Sequence, residues 1–134
     1  MNLKEVDLQD YTHLSGIERV EQYEMQIDRC DGRLVELLEL HDAVDDALKI
    51  TFVKIEQRRK NLNAVIEQIA PHKDEPAYAD LEWLIDEYSI PLHNAVQERE
   101  HFEQLTDQLV DETKYFERRK TLLHYLLEQY IKAN

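Results

Sequence analysis

Glycine is nearly missing from this chain, with 2 residues in 134, beside 3 prolines and 1 cysteine. Two glycines cannot supply a Gly-rich phosphate loop or a dinucleotide fingerprint. They also argue against a β-sandwich, which needs a turn signal every ten residues or so. The single cysteine, Cys30, excludes an internal disulfide and a Cys-based zinc finger, and it suits a reducing compartment. Long apolar runs are lacking as well, so no segment is expected to span a bilayer. The first ten residues carry neither a basic stretch nor an apolar stretch, and no secretory signal is expected.

Base is also in short supply. Lys and Arg total 16 against 29 Asp and Glu, a formal net charge of −13. A surface of that sign repels anionic lipid and the phosphate backbone. The expected setting is therefore cytoplasmic, or within a virion or assembly made in the cytoplasm. No membrane and no direct nucleic-acid binding are expected.

What the chain does contain is a long seven-residue period. Val20, Ile27, Leu34, His41, Leu48, Ile55, Leu62 and Ile69 form one column with a single polar member. Ile17, Glu24, Asp31, Leu38, Asp45, Phe52, Arg59 and Ile66 form a mixed second column three residues earlier. The second half repeats the pattern. Ala95, Phe102, Leu109, Phe116, Leu123 and Tyr130 are all apolar, whereas the column Leu92, Arg99, Thr106, Thr113, Lys120, Leu127 is mostly polar. A seven-residue period kept this long implies helices in left-handed supercoiled packing.

Punctuation sets the expected boundaries. Ser15-Gly-Ile-Glu18 fits a capping box at a helix start. Gly32 either ends the first helix or merely loosens it. The break is preferred, because an unbroken helix there would reach ~80 Å, too long for a compact domain. Pro71 and Pro76 cannot both lie in a regular helix, and Ser89-Ile-Pro91 stops or kinks the next one. The expected fold is all-α within a single domain, 1–134. A 1–14 arm is followed by a short helix (15–31), a long helix (33–70), a turn (71–75), a short helix (76–89) and a long helix (91–132). The two long helices would pair as an antiparallel coiled coil in an elongated bundle.

Charge suggests how they pair. Lys49, Lys54, Arg58, Arg59 and Lys60 form a basic block after the acidic Glu36–Asp46 stretch, and the last helix reverses that order. Residue numbers adding to about 162 would set each acidic block against a basic one, and blocks of like charge would disfavour other registers. The pairing could lie within one chain or between two. Two echoes between the halves, Leu40–Val44 with Leu92–Val96 and Arg58–Lys60 with Arg118–Lys120, have different offsets, so they do not establish a duplication.

Site chemistry is sparse. Glu98-Arg-Glu-His101 is the only Glu-x-x-His motif, half of what a di-iron bundle requires. His41 would fall within a turn of His124 in the proposed register, with Asp42 and Asp45 nearby. The plainer reading is a half-buried histidine bonded to a carboxylate, and a pH-sensitive contact is the sharper one. Cys30 and Ser15 have no evident activating base. No catalytic residue, metal or cofactor is expected.

Polar positions in a helix seam can fix register, which marks His41, Asp45, Arg59, Arg99 and Lys120, with Glu24 and Asp31 beside them. The plainer reading is that these positions are exposed. Trp83 lies off the apolar stripe of its helix and, with Tyr78 and Tyr88, is a candidate partner-binding anchor.

Two functional readings follow. The first is a non-enzymatic helical assembly or adaptor protein that binds other proteins or copies of itself. In style, though not in any motif, the chain resembles small helical components of bacteriophage particles and their assembly. The second is an acidic decoy for a DNA- or RNA-binding protein, with Glu98, Glu100, Glu103, Asp107, Asp111 and Glu112 standing in for phosphates. Short, acidic, helical phage-encoded inhibitors of restriction and of guide-RNA nucleases look broadly similar.

Overall fold

The computed structural model describes residues 11–134. Among these, the protein is all-helical, with two long helices and no strand. Helix α1 spans Gly16–Ile69, a single 3₁₀ turn covers Ala70–His72, and helix α2 spans Tyr78–Ala133. Most of the expected arm at 1–14 lies outside the described residues.

The expected short helices are parts of the long ones. α1 runs through Gly32, which has an ordinary helical backbone; the one positive φ among the described residues is at Gly16. Gly32 is exposed, and the opposite side of the same stretch buries Cys30 and Leu37. A glycine inside a helix costs about 1 kcal/mol, and burial of one leucine offsets that by itself.

Pro91 likewise lies inside α2 and does not end it. The ring removes the N–H that Glu87's carbonyl would accept. Glu87 is exposed, so water can serve that carbonyl. The carbonyl of Pro91 itself accepts a bond from Arg58 Nη1 at 3.0 Å, which ties this stretch of α2 to α1. Pro71, by contrast, opens the 3₁₀ turn, where a missing N–H costs nothing.

The chain divides into two compact units. Unit 1 is Met1–Asp42 with Thr106–Asn134, and unit 2 is Ala43–Leu105. In unit 1, Tyr11, Tyr23, Ile27, Cys30 and Leu123 form the core cluster, with Phe116, Leu126, Leu127 and Tyr130 packed on it. The Tyr11 and Tyr23 rings meet edge to face at 5.4 Å. At the start of α1, Gly16 N–H donates to the Tyr130 hydroxyl at 2.6 Å, and the Arg19 guanidinium lies 4.3 Å above the Tyr130 ring. In unit 2, Thr51, Ile55, Ile69 and Ala95 are buried. Thr51 bonds its hydroxyl to the Ala47 carbonyl, so its burial leaves no donor unsatisfied.

The side of α1 that faces α2 corrects the expectation. The Val20–Ile69 column is buried or half-buried throughout. Its companion is not the Ile17 column but the one three residues later: Tyr23, Cys30, Leu37, Val44, Thr51, Arg58 and Val65. In the Ile17 column every residue is exposed except Asp31. The displaced column carries four charged side chains and the buried one carries a single charge, so desolvation favours the observed rotation.

The register differs too. In unit 1, Arg33 meets Glu112 and Asp31 meets Lys120; in unit 2, Lys54 meets Glu98. These partners lie about ten to seventeen residues short of where a total of 162 would place them, roughly three to five helical turns. Arg59 and Glu103, partners in that register, each pair within their own helix, with Glu56 and Arg99 respectively.

Neighbouring leucines test the rotation. Leu37 is 0% exposed and Leu38 is 63% exposed. Leu37→Ala is expected to cost about 2–5 kcal/mol in urea unfolding, and Leu38→Ala to stay within about 0.5 kcal/mol. Gly32→Ala tests continuity, because a Cβ there meets nothing within 4 Å. It should stabilise the chain by about 0.5–1 kcal/mol, whereas a helix-ending glycine would show the opposite sign.

Candidate partner-binding surface

The seam positions behave in three different ways. Lys120 reaches across to Asp31, and both side chains are partly exposed. Asp45 and Arg59 face solvent, so neither helps to fix how α1 meets α2. Arg99 is half-buried beside Glu103 on its own helix, at 3.7 Å, and its Nε has no hydrogen-bond partner among the described residues. The residue that does most of the bridging was not singled out from the sequence. Arg33 places Nη2 and Nε on one Glu112 oxygen, at 2.6 and 3.0 Å, and Nη1 on Glu36 at 2.9 Å. The hydrogen bonds it donates to Glu112 and then to Glu36 raise its pKa above the usual guanidinium value. Its position on α1, seven residues after Gln26 and seven before Leu40, lies on the flank of the buried columns, which is where a crossing ion pair belongs.

His41 is half-buried, but His124 is not beside it. Leu123 clusters with Tyr23, Ile27 and Cys30, which places His124 at least eleven residues, or ~16 Å of helix, from His41. No group of three or more His, Cys, Asp or Glu side chains able to hold a metal occurs among the described residues. Cys30 is buried, and burial pushes its thiol pKa up against the opposing pull of Arg119. Such a thiol stays protonated near neutral pH and is a poor nucleophile. Tyr11 is raised for the same reason, desolvation, with Arg119 and Arg29 opposing it.

The proposed acidic row is interrupted by pairing. In unit 2, Glu98 bonds to Lys54 and Glu103 lies beside Arg99; in unit 1, Glu112 is held by Arg33. Glu100 in unit 2, and Asp107 and Asp111 in unit 1, are exposed.

Apolar exposure is the more pronounced surface feature. Among the described residues, fifteen large hydrophobic side chains are exposed, against nine apolar residues in the core. Single exposed apolar residues are ordinary, but groups of them on one face are not. In unit 2, Trp83 and Ile90 are 61% and 59% exposed and lie seven residues apart on α2, hence on one side of it. Tyr88 is 42% exposed, and Tyr78 is half-buried. On α1 of the same unit, Phe52 and Val53 are 61% and 62% exposed. No helix among the described residues is long and apolar enough to cross a membrane.

A double-mutant cycle distinguishes the two registers. Asp31→Ala with Lys120→Ala should show coupling of about 0.3–1 kcal/mol, the range for a partly exposed ion pair. Arg59→Ala with Glu103→Ala should show none. The reverse pattern would restore the register read from the charge blocks.

A scan against protein-family models, a search of curated proteins and a search of solved structures each find no match for the chain.

Proposed function

We propose that this chain is a non-enzymatic helical interaction protein, working as an assembly component or adaptor whose helices present apolar faces to another protein. The observation that carries the reading is the set of large apolar side chains left exposed, Trp83 and Ile90 on one side of α2 among them. Each such side chain left in water forgoes about 1.5–3 kcal/mol of burial. A partner helix laid along Trp83 and Ile90 would recover part of that. Trp is the residue type most enriched where binding energy concentrates, and its ring loses little freedom on docking. The helix-in-groove mode of recognition reads apolar anchors at i, i+3, i+4 and i+7, and Trp83 and Ile90 have the first and last of these positions.

The chemistry of the remaining groups agrees with a binding role. The shifted titrations at Cys30 and Tyr11 arise from core burial, and that at Arg33 from a structural ion pair. Small all-helical components of phage particles are one setting for such a protein. The acidic-decoy reading is weakened by the pairing of Glu98, Glu103 and Glu112, which leaves fewer free carboxylates to imitate a phosphate row.

Affinity capture from host lysate with the immobilised chain tests the proposal. Trp83→Ser combined with Ile90→Ser should lower recovery of the bound protein by about tenfold, a loss near 1.4 kcal/mol, with the melting curve unchanged. Elution should need detergent or denaturant more than salt, because salt screens exposed ion pairs and spares apolar contacts. Equal recovery by the variant would overturn the assignment of this face. Release of a nucleic-acid-binding protein by added duplex DNA or RNA would favour the decoy reading instead.

A further inference from the structure

The exposed Ile17 column of α1 carries apolar side chains in both units, and its exposed charges differ: Glu24 in unit 1, Asp45 and Arg59 in unit 2. In unit 1, Ile17 and Glu24 are exposed, and the neighbouring exposed side chains Glu21 and Asp28 are acidic too. In unit 2, Arg59 and Ile66 are exposed in the same column, with Lys60 exposed alongside. Ile17 and Glu24 are seven residues apart, and so are Arg59 and Ile66.

We propose that the occupant of this face is a second copy of the chain, with the Ile17–Glu24 stretch of one copy lying antiparallel on the Arg59–Ile66 stretch of the other. The inference rests on the reading of the chain as an interaction protein and adds a second surface, with its own occupant, to that reading. Equal spacings make the match two-point. Setting Glu24 on Arg59 places Ile17 on Ile66, so one register satisfies an ion pair and an apolar contact together. The same register sets Asp31, already held by Lys120, against Phe52 and sets Leu38 against Asp45, so the contact rests on its two matched points. Joining identical stretches would instead put Glu21, Glu24 and Asp28 against their own copies, and like-charge contacts of that kind are disfavoured.

Arg59 is available for this role. Its present partner is Glu56, one turn away at 3.1 Å in an exposed pair. Such pairs hold weakly, and a guanidinium has donors enough for a second carboxylate. In a chain of net charge −13, an exposed cluster of bases has an abundant complement in another copy of the same chain.

Sedimentation velocity on the full chain, at micromolar concentration and physiological salt, tests the proposal. The wild-type mass should be at least twice that of one chain. Glu24→Arg alone and Arg59→Glu alone should each weaken association by about tenfold or more, and the two together should restore it. A monomeric wild type, single variants that associate as wild type does, or a double variant that fails to recover would each overturn the inference. Helicity and melting temperature show whether a variant still folds. As an independent check, Glu24→Cys and Arg59→Cys chains, both carrying Cys30→Ala, are mixed under mild oxidation. They should form the mixed disulfide in preference to either symmetric one, and failure to do so counts equally against the proposal. A monomeric chain that still binds another protein through Trp83 and Ile90 would overturn this inference and leave the proposed function standing.

Discussion

A helix that meets one other helix can hide only about two of the seven columns in its period. Everything else in this protein follows from that limit. In both units α1 turns the Val20–Ile69 and Tyr23–Val65 columns toward α2, and the remaining five columns meet solvent or lie at the margin. A chain that is 43% hydrophobic therefore keeps a small core, because geometry and not composition sets how much can be buried. The leftover apolar side chains are the feature on which the functional reading rests.

Within that limit, charge acts at the edges. Arg33–Glu112, Asp31–Lys120 and Lys54–Glu98 all join α1 to α2 with side chains a third to a half exposed. Pairs of this kind add little stability, and they mark where the two helices align. Burial chooses which side of α1 faces α2.

Much of the secondary structure was legible in the sequence, since a seven-residue period held over dozens of residues has few explanations other than helix. The punctuation was less so. Gly32 and Pro91 carry backbone penalties of about 1 and 3 kcal/mol as isolated helix residues, yet burial around the first outweighs its penalty and the Arg58 bond beside the second offsets part of the other. The companion column was legible but obscured. Cys30, Thr51 and Arg58 look poor for a core, although a small thiol and a hydroxyl bonded to its own helix bury without penalty. The alignment of the two helices was hardly legible at all. Five bases crowded between Lys49 and Lys60 give nearly the same complementarity after a shift of several turns. At the candidate surface, Trp83 stood off its helix's stripe and is exposed, whereas the bridging role of Arg33 depends on an alignment that the charge blocks blurred.

The way the two units use the chain has a consequence for how it folds. Unit 2 is one continuous stretch, Ala43–Leu105, and contains the turn between the helices. Unit 1 joins segments from opposite ends, and the bond from Gly16 to Tyr130 spans 114 positions. Closing a loop costs entropy that grows with its length, and contacts between distant residues form late for that reason. Unit 2 can therefore assemble from its own neighbours, while the Tyr11–Leu123 core of unit 1 must wait until the intervening chain has shortened the search. The 3₁₀ turn at Ala70–His72 lies inside unit 2, so forming it shortens the loop that unit 1 has to close.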